Sequence, residues 1–251
     1  MAQRKRQDHI LDMVTKSGFV TIDELVERFN VTPQTIRRDL NQLADANKIK
    51  RHHGGAGLES STVNAAYTQR KVTESAAKEK IAEMLADYVP DGASLFINIG
   101  TTTESVARAL LKRRDLRIVT NNLHVASILA EREDFTIIIA GGEVRNRDGG
   151  IIGEATLDLI SQFQMDYAVI GISGIQADGM LLDFDYREVR VAQAIIAHSR
   201  EVLLCADHTK FGRNPMVRLG SISHADHLFT DRKPEPEYRQ MLEEHDVCLH
   251  Y

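Results

Sequence analysis

The chain has 251 residues, of which 43% are apolar and 27% charged, with two cysteines and no tryptophan. This is enough apolar material for one large domain or two smaller ones, and it excludes a disordered chain or a disulfide-stapled scaffold. The net charge of −5 is uneven. Residues 1–57 carry ten Lys/Arg against seven Asp/Glu, and the remainder carries 21 against 29. That asymmetry fits a basic reader of nucleic acid joined to an acidic domain with another task. No apolar run approaches the length of a membrane span, and the first residues lack the apolar segment of a secretory signal, so the expected location is cytoplasmic.

In chain order, "DHILDMVTKSG" predicts a helix with Ile10, Leu11 and Val14 turned inward and Gly18 as its stop. "TIDELVERFN" follows. Thr21 and Glu24 make a capping box, and Ile22, Leu25, Val26 and Phe29 form an apolar stripe. After a short turn, "VTPQTIRRDLNQL" opens with Thr32 as cap and Pro33 at the first helical position. Ile36, Leu40 and Leu43 share one side, and Gln34, Arg37, Arg38 and Asn41 the other. Arginine bridges guanine edges or grips phosphate, and Asn or Gln pairs with adenine. On a lone helix that face would be ordinary solvated surface. Preceded by a second short helix, it reads as the recognition helix of a helix-turn-helix.

"NKIKRHHGGAG" then predicts a hairpin wing whose Lys50, Arg51, His52 and His53 meet the phosphate backbone. His52 and His53 lack the carboxylates or cysteines that would make a metal site. The DNA-contacting set is Thr32, Gln34, Thr35, Arg37, Arg38, Asn41, Lys50, Arg51, His52 and His53. Residues 1–57 are the expected DNA-binding domain, 58–75 a small, polar linker, and 76–251 the second domain.

From Ala76 helical and strand patterns alternate. "ASLFINI", "LRIVTNN" and "EVLLCAD" read as strands, "FTIIIAGG" and "YAVIGISGI" as buried strands with glycine-rich ends, and "DHLFTD" and "DVCLHY" as strands that close the sheet. This predicts a mostly parallel sheet with helices on both faces, whose ligands bind beyond the carboxyl ends of the strands. Cys205 and Cys248, in apolar runs, read as buried thiols. At the strand ends, Asn98, Gly100, Thr101, Thr102 and Thr103 offer a helix N-terminus with hydroxyls suited to phosphate. Asn121 and Asn122 suit sugar or polyol hydroxyls, Gly141 and Gly142 permit close backbone approach, and Asp207 with Lys210 supplies a hydroxyl acceptor and a phosphate cation. Each alone is common turn chemistry; together they favour a small phosphorylated ligand. The loop lacks both the P-loop pattern and G-x-G-x-x-G.

Through "VTPQTIRRDL", "RHHGGA", "IGTTTE", "TNN", "AGGE" and "DHTKFG", the sequence resembles the DeoR-type bacterial repressors over nearly its whole length. "EVRNRDGGIIGEATLDLISQF" and "GISGI" with "LLDFDYREVR" narrow the resemblance to members governing glycerol 3-phosphate metabolism. The resemblance implies an α/β protein: a winged helix-turn-helix joined to a Rossmann-like effector domain resembling sugar-phosphate isomerases. It implies a repressor of glycerol genes, not an enzyme, with neither cofactor nor metal. Its partners would be operator DNA, glycerol 3-phosphate or a similar phosphorylated inducer, and other copies of itself, a tetramer being favoured. Thr101–Thr103 would hold phosphate, Asn121 and Asn122 the hydroxyls, and Asp207 with Lys210 would close the site. Asp183 and Glu188 stand beside a plainer reading, with Asp185, as helix-start capping and a solvated face. Asn98 occupies a position where the family commonly has aspartate, which removes a charge while keeping an acceptor. The alternatives are an isomerase-like enzyme, a repressor answering to another sugar phosphate, and a DNA-binding protein whose second domain only oligomerises.

Overall fold

The computed structural model describes residues 3–17, 19–46, 48–52, 54–57 and 64–251. Gly18, His53 and the 58–63 part of the expected linker lie outside the described residues. The chain divides into two compact units, Met1–Glu74 and Ser75–Tyr251.

In the first unit, α1 (Gln3–Ser17), β1 (Phe19–Thr21), α2 (Ile22–Phe29) and α3 (Pro33–Asp45) are followed by β2 (Lys50–His52) and β3 (Gly55–Gly57). The capping box at α2 is complete: the Thr21 hydroxyl accepts from Glu24 N at 3.1 Å, and Glu24 Oε2 accepts from Thr21 N at 2.8 Å. Asn30 ends the helix in the left-handed region at φ 50°, and the chain turns directly into α3. Thr32 caps α3 and Pro33 begins it, as the pattern requires. Ile10 and Val14 from α1, Leu25 from α2, and Ile36, Leu40 and Leu43 from α3 meet in one core. The strands form an antiparallel sheet in the order β1-β3-β2, with β2 and β3 making the wing hairpin. A short helix, α4 (Tyr67–Val72), lies within the segment read as linker, whose sequence shows little periodicity.

The second unit runs α5 (Ser75–Tyr88), β4 (Ser94–Ile97), α6 (Thr101–Leu110), β5 (Arg117–Thr120), α7 (Leu123–Leu129), β6 (Thr136–Ile139), β7 (Glu143–Arg145), β8 (Gly150–Ile152) and α8 (Glu154–Ile160). It continues with β9 (Met165–Gly171), β10 (Gly174–Ile175), β11 (Met180–Asp183), α9 (Tyr186–Ala197), β12 (Ser199–Cys205), β13 (Val217–Ser221), β14 (His227–Phe229), α10 (Pro236–Glu244) and β15 (Cys248–His250). Seven strands form one parallel sheet in the order β15-β14-β12-β9-β4-β5-β6. Alternate residues feed two cores on opposite faces. Phe96, Val119, Ala168, Ile170 and Leu204 join one; Leu95, Ile97, Ile118, Val169 and Leu203 join the other.

The chain adds strands outward from β4 through β5 to β6, then returns to the other side of β4 with β9. The order therefore reverses between β4 and β9, the place where doubly wound sheets open a crevice at their carboxyl ends. Two expectations need correction. β6 is an edge strand and is only partly buried, because none of the described strands pairs with its outer side. Cys205 is buried, but Cys248 is exposed, because β15 is the opposite edge.

Candidate functional site

The first unit presents a polar face on α3. Gln34, Arg37, Arg38 and Asn41 are exposed, Thr35 is half-buried, and the opposite side of the helix is sealed in the core. Thr32 is exposed, and its hydroxyl serves as the cap, accepting from Thr35 N at 3.3 Å. Lys50 on the wing is exposed. Arg51 behaves differently from an unattached phosphate contact. Its Nη1 donates to Asn41 Oδ1 at 2.9 Å and to the Arg37 carbonyl at 3.1 Å. The wing is thereby tied to the recognition helix, with the Asn41 amide turned so that its NH2 points away from that bond. Burial, with the Arg37 charge added, lowers the Arg51 pKa from its ordinary value. The expected role of His53 lies outside the described residues, and so does the side chain of His52.

Asp39 was not singled out from the sequence. It is fully buried on α3, pairs with the nearly buried Arg6 of α1, and accepts from Gln3 at 2.9 Å. This cluster fixes the recognition helix to the helix behind it. The sequence signal was a lone acid beside the apolar stripe at Ile36 and Leu40.

In the second unit Asn98 and the start of α6 follow β4, at the carboxyl end of the sheet beside the switch point. Gly100 caps α6 at φ 155°, and a Cβ there would stand 3.3 Å from Thr103 Oγ1. The Thr103 hydroxyl is fully buried and spent on the Asn98 and Gly100 carbonyls, both at 2.8 Å. Thr101 and Thr102 and the first-turn N–H groups are the donors left at this helix start. Asn98 Oδ1 accepts from Ile99 N at 2.7 Å, bracing the turn.

The next strand ends in Asn121 and Asn122. Asn121 Nδ2 donates to the Ile151 carbonyl at 3.0 Å, and Asn122 Oδ1 accepts from His124 N at 2.9 Å as the cap of α7. These bonds fix which end of each amide is which. They leave Asn121 Oδ1 and Asn122 Nδ2 buried without a hydrogen-bond partner among the described residues. Two residues beyond β12, Asp207 Oδ1 is held by Thr209 N at 2.9 Å and by the Thr209 hydroxyl, whereas Oδ2 is buried, has no hydrogen bond among the described residues and lies 3.4 Å from Lys210 Nζ. Burial alone would raise the Asp207 carboxyl. Lys210, the Thr209 bonds and Lys78 outweigh it and bring the pKa to about 2. Lys78 is a residue the sequence reading missed. It is a buried lysine on α5 whose charge reaches Asp207, hidden among the lysines and glutamates of a surface-like helix pattern.

Adjacent strands stand about 4.8 Å apart. The ends of β5 and β12 therefore flank the β4–β9 gap at roughly 7 Å on either side of its centre. Asn98, Thr101 and Thr102 follow β4, Asn121 and Asn122 follow β5, and Asp207 and Lys210 follow β12.

The remaining residues sit elsewhere. Gly142 is locked against α8: a Cβ would come within 2.3 Å of Thr156 Oγ1 and 2.6 Å of the Ile152 carbonyl. The Gly141 carbonyl accepts from the Thr156 hydroxyl at 2.7 Å. Both glycines follow the edge strand, two strands from the switch point. Asp183 accepts from the Ser173 hydroxyl at 2.9 Å and from Phe184 N at 2.7 Å. Glu188 pairs with Arg145 at 2.8 Å. Arg145 also binds Asp148 through two nitrogens and Asp185 at 2.9 Å, and Asp185 caps α9. Burial opposes the charge on Arg145, but Glu188 and Asp148 outweigh it and raise its pKa. For Glu188 and Asp185 the geometry is thus that of ion pairing and capping. The same hairpin, β7–β8, crosses the end of β5: Ile151 N donates to the Asn121 carbonyl at 2.7 Å, and Gly150 packs on Ile99.

Residues 6–62 match the DeoR-like helix-turn-helix domain, and residues 73–232 match the DeoR C terminal sensor domain. The sequence is 57% identical over 249 residues, 99% of each chain, to the glycerol-3-phosphate regulon repressor of Escherichia coli. It is 54% identical to that of Haemophilus influenzae, over 94% of this chain and 92% of the other. It is 42% identical to the HTH-type transcriptional repressor CsqR of Escherichia coli, over 96% and 93%. Among solved structures, ribose 5-phosphate isomerase A from Neisseria gonorrhoeae matches with a TM-score of 0.40 and 15% identity, covering 53% of this chain and 52% of that one.

Proposed function

The chain belongs to the DeoR family, and on that premise we propose that it is a transcriptional repressor that holds operator DNA through α3 and the wing and lets go when glycerol 3-phosphate occupies the strand-end crevice. Its end-to-end relatives are repressors, and an isomerase has no use for a helix-turn-helix unit. No helix among the described residues is long and apolar enough to cross a membrane, and a cytoplasmic location suits a protein that works on DNA.

The observation that carries the ligand reading is that two neighbouring buried amide atoms, Asn121 Oδ1 and Asn122 Nδ2, have no hydrogen-bond partner among the described residues, while Asp207 Oδ2 has only the Lys210 ammonium at 3.4 Å. Leaving the two amide atoms unsatisfied costs about 1–3 kcal/mol each, a cost offset by a ligand with hydroxyls. The two amide atoms form an acceptor–donor pair suited to a hydroxyl, and Asp207 accepts from another. The start of α6, Thr101, Thr102 and Lys210 suit the phosphate. A simple oligomerisation domain gives these groups no task.

A single helix-turn-helix unit reads too few base pairs to select a genomic site, so the repressor acts as a symmetric oligomer on paired half-sites, with a tetramer as the favoured form. Footprinting on genomic DNA, with and without glycerol 3-phosphate, tests the whole reading. Protected sites that vanish with the inducer, while the inducer is recovered unchanged, support it. Turnover of the compound supports the isomerase alternative, and protection that no phosphorylated polyol alters contradicts the sensing role.

A further inference from the structure

The edge of the sheet farthest from β6 carries a side-chain cluster that neither DNA reading nor inducer sensing uses. In the parallel pair β14–β15, His227 stands opposite Cys248, and Phe229 stands opposite His250. Side chains two apart on a strand share a face, and so do partners across a parallel pair. The register therefore delivers His227, Cys248 and His250 to one side of the sheet. Their donor atoms all lie within 4.8 Å of one another.

The finer geometry suits an ion. His227 Nδ1 faces His250 Nε2 at 3.0 Å. Two nitrogens held about 2.0–2.1 Å from a tetrahedral ion stand roughly 3.3 Å apart, so a small widening admits one. The rings are already oriented. His250 stacks on Phe229 with centroids 4.3 Å apart and an 8° tilt. The other nitrogen of His227, Nε2, meets the Tyr88 hydroxyl at 2.9 Å, and Tyr88 in turn donates to Glu201 Oε2 at 2.8 Å. An imidazole that ligates through one nitrogen usually gives its other N–H to an oxygen, which sets the tautomer and strengthens the ligand. Tyr88 and Glu201 supply that support.

The geometry points to a transition-metal site at this rim, with His227 Nδ1, His250 Nε2 and Cys248 Sγ holding one Zn2+-class ion and water completing its shell. Two imidazoles and a thiolate select a borderline-soft ion and exclude Mg2+ and Ca2+, which want oxygen. The ion pins the edge strand β15 to β14, and through Tyr88 to the end of α5. Among the described residues no other group of three such ligands comes together.

The test uses the full chain, stripped of metal by a chelator and titrated with Zn2+ against a chromophoric competitor, then with Co2+. The expected result is one ion per chain and a thiolate-to-cobalt charge-transfer band in the parent protein. Cys248→Ser, on an exposed side chain, loses the band and weakens Zn2+ binding at least tenfold. His250→Ala weakens it to a similar degree. Tyr88→Phe, a positioning change, keeps the band and weakens binding about tenfold, within the range seen when such outer partners are removed. Far-ultraviolet circular dichroism confirms that each variant is folded. No stoichiometric Zn2+ at micromolar protein, or Zn2+ bound by Cys248→Ser and His250→Ala as tightly as by the parent, overturns the site.

Discussion

The two units keep their functional groups in opposite ways. On α3 the side chains proposed to read DNA are exposed, and the helix is held by what lies behind it: an apolar stripe and the buried Arg6–Asp39 pair. At the strand ends the groups proposed to hold inducer, Asn121, Asn122 and Asp207, are themselves buried, and each has a polar atom without a hydrogen bond among the described residues. A surface reader can be changed one residue at a time with little cost to the fold. A buried sensor has its stability and its response bound up in the same atoms. That contrast ranks the following expectations.

The largest effect belongs to the support of the reader. Removing one partner of a buried ion pair costs about 3–5 kcal/mol, because the other charge is left uncompensated. Arg6→Ala should destabilise the first unit by that order, seen as a lower denaturant midpoint and lost operator binding at moderate temperature. An Arg6→Met/Asp39→Leu double change should recover much of the loss.

Next is acid sensitivity in the sensor. Asp207 is depressed from 3.8 to about 2 in the folded chain. A depressed carboxyl stabilises above its unfolded pKa and loses that contribution as pH falls through the folded one. This group therefore contributes on the order of 2 kcal/mol above pH ~4, fading between pH ~4 and ~2. Comparing the denaturant midpoints of the parent and Asp207→Asn across that window measures it; parallel curves would show that Asp207 takes no part.

For the reading face, Arg37→Ala and Arg38→Ala should each weaken operator binding by about 1–3 kcal/mol if the lost contact is to a base. A lost phosphate contact would instead weaken all sequences and reduce the salt slope. Both variants should still bind inducer, and unchanged operator affinity in both would return α3 to an ordinary solvated helix. The smallest effect is Thr21→Ala, which breaks the capping box of α2 and should cost about 1 kcal/mol of first-unit stability in a denaturant titration.

The same contrast explains what the sequence made legible. The helix-turn-helix was readable because its signals are local. Thr21 with Glu24, Thr32 with Pro33, and the spacing of Ile36, Leu40 and Leu43 each lie within one helix. The strands of the sensor were readable as apolar runs, and their ends as polar clusters at Asn98–Thr103, Asn121–Asn122 and Asp207–Lys210. Strand order was not, because the pairing of β4 with β9 joins residues some seventy positions apart. Long-range partners were invisible for the same reason. Asp39 finds Arg6, Glu188 finds Arg145, and Lys78 reaches Asp207 only once the chain has folded. Cys248 was misread because an apolar run looks the same on a central strand and on an edge.

The central claim is that the crevice holding Asn121, Asn122, Asp207 and Lys210 is where inducer acts against DNA bound by the other unit. The direct measurement is an operator titration at fixed salt, with and without glycerol 3-phosphate, for the parent protein and Lys210→Ala. Linkage requires the inducer to weaken DNA binding by the same factor that DNA weakens inducer binding, typically about 5–150-fold. The account predicts that the parent loses operator affinity on adding inducer, whereas Lys210→Ala binds operator as the parent does and no longer responds. A Lys210→Ala protein released by the inducer as readily as the parent would contradict it.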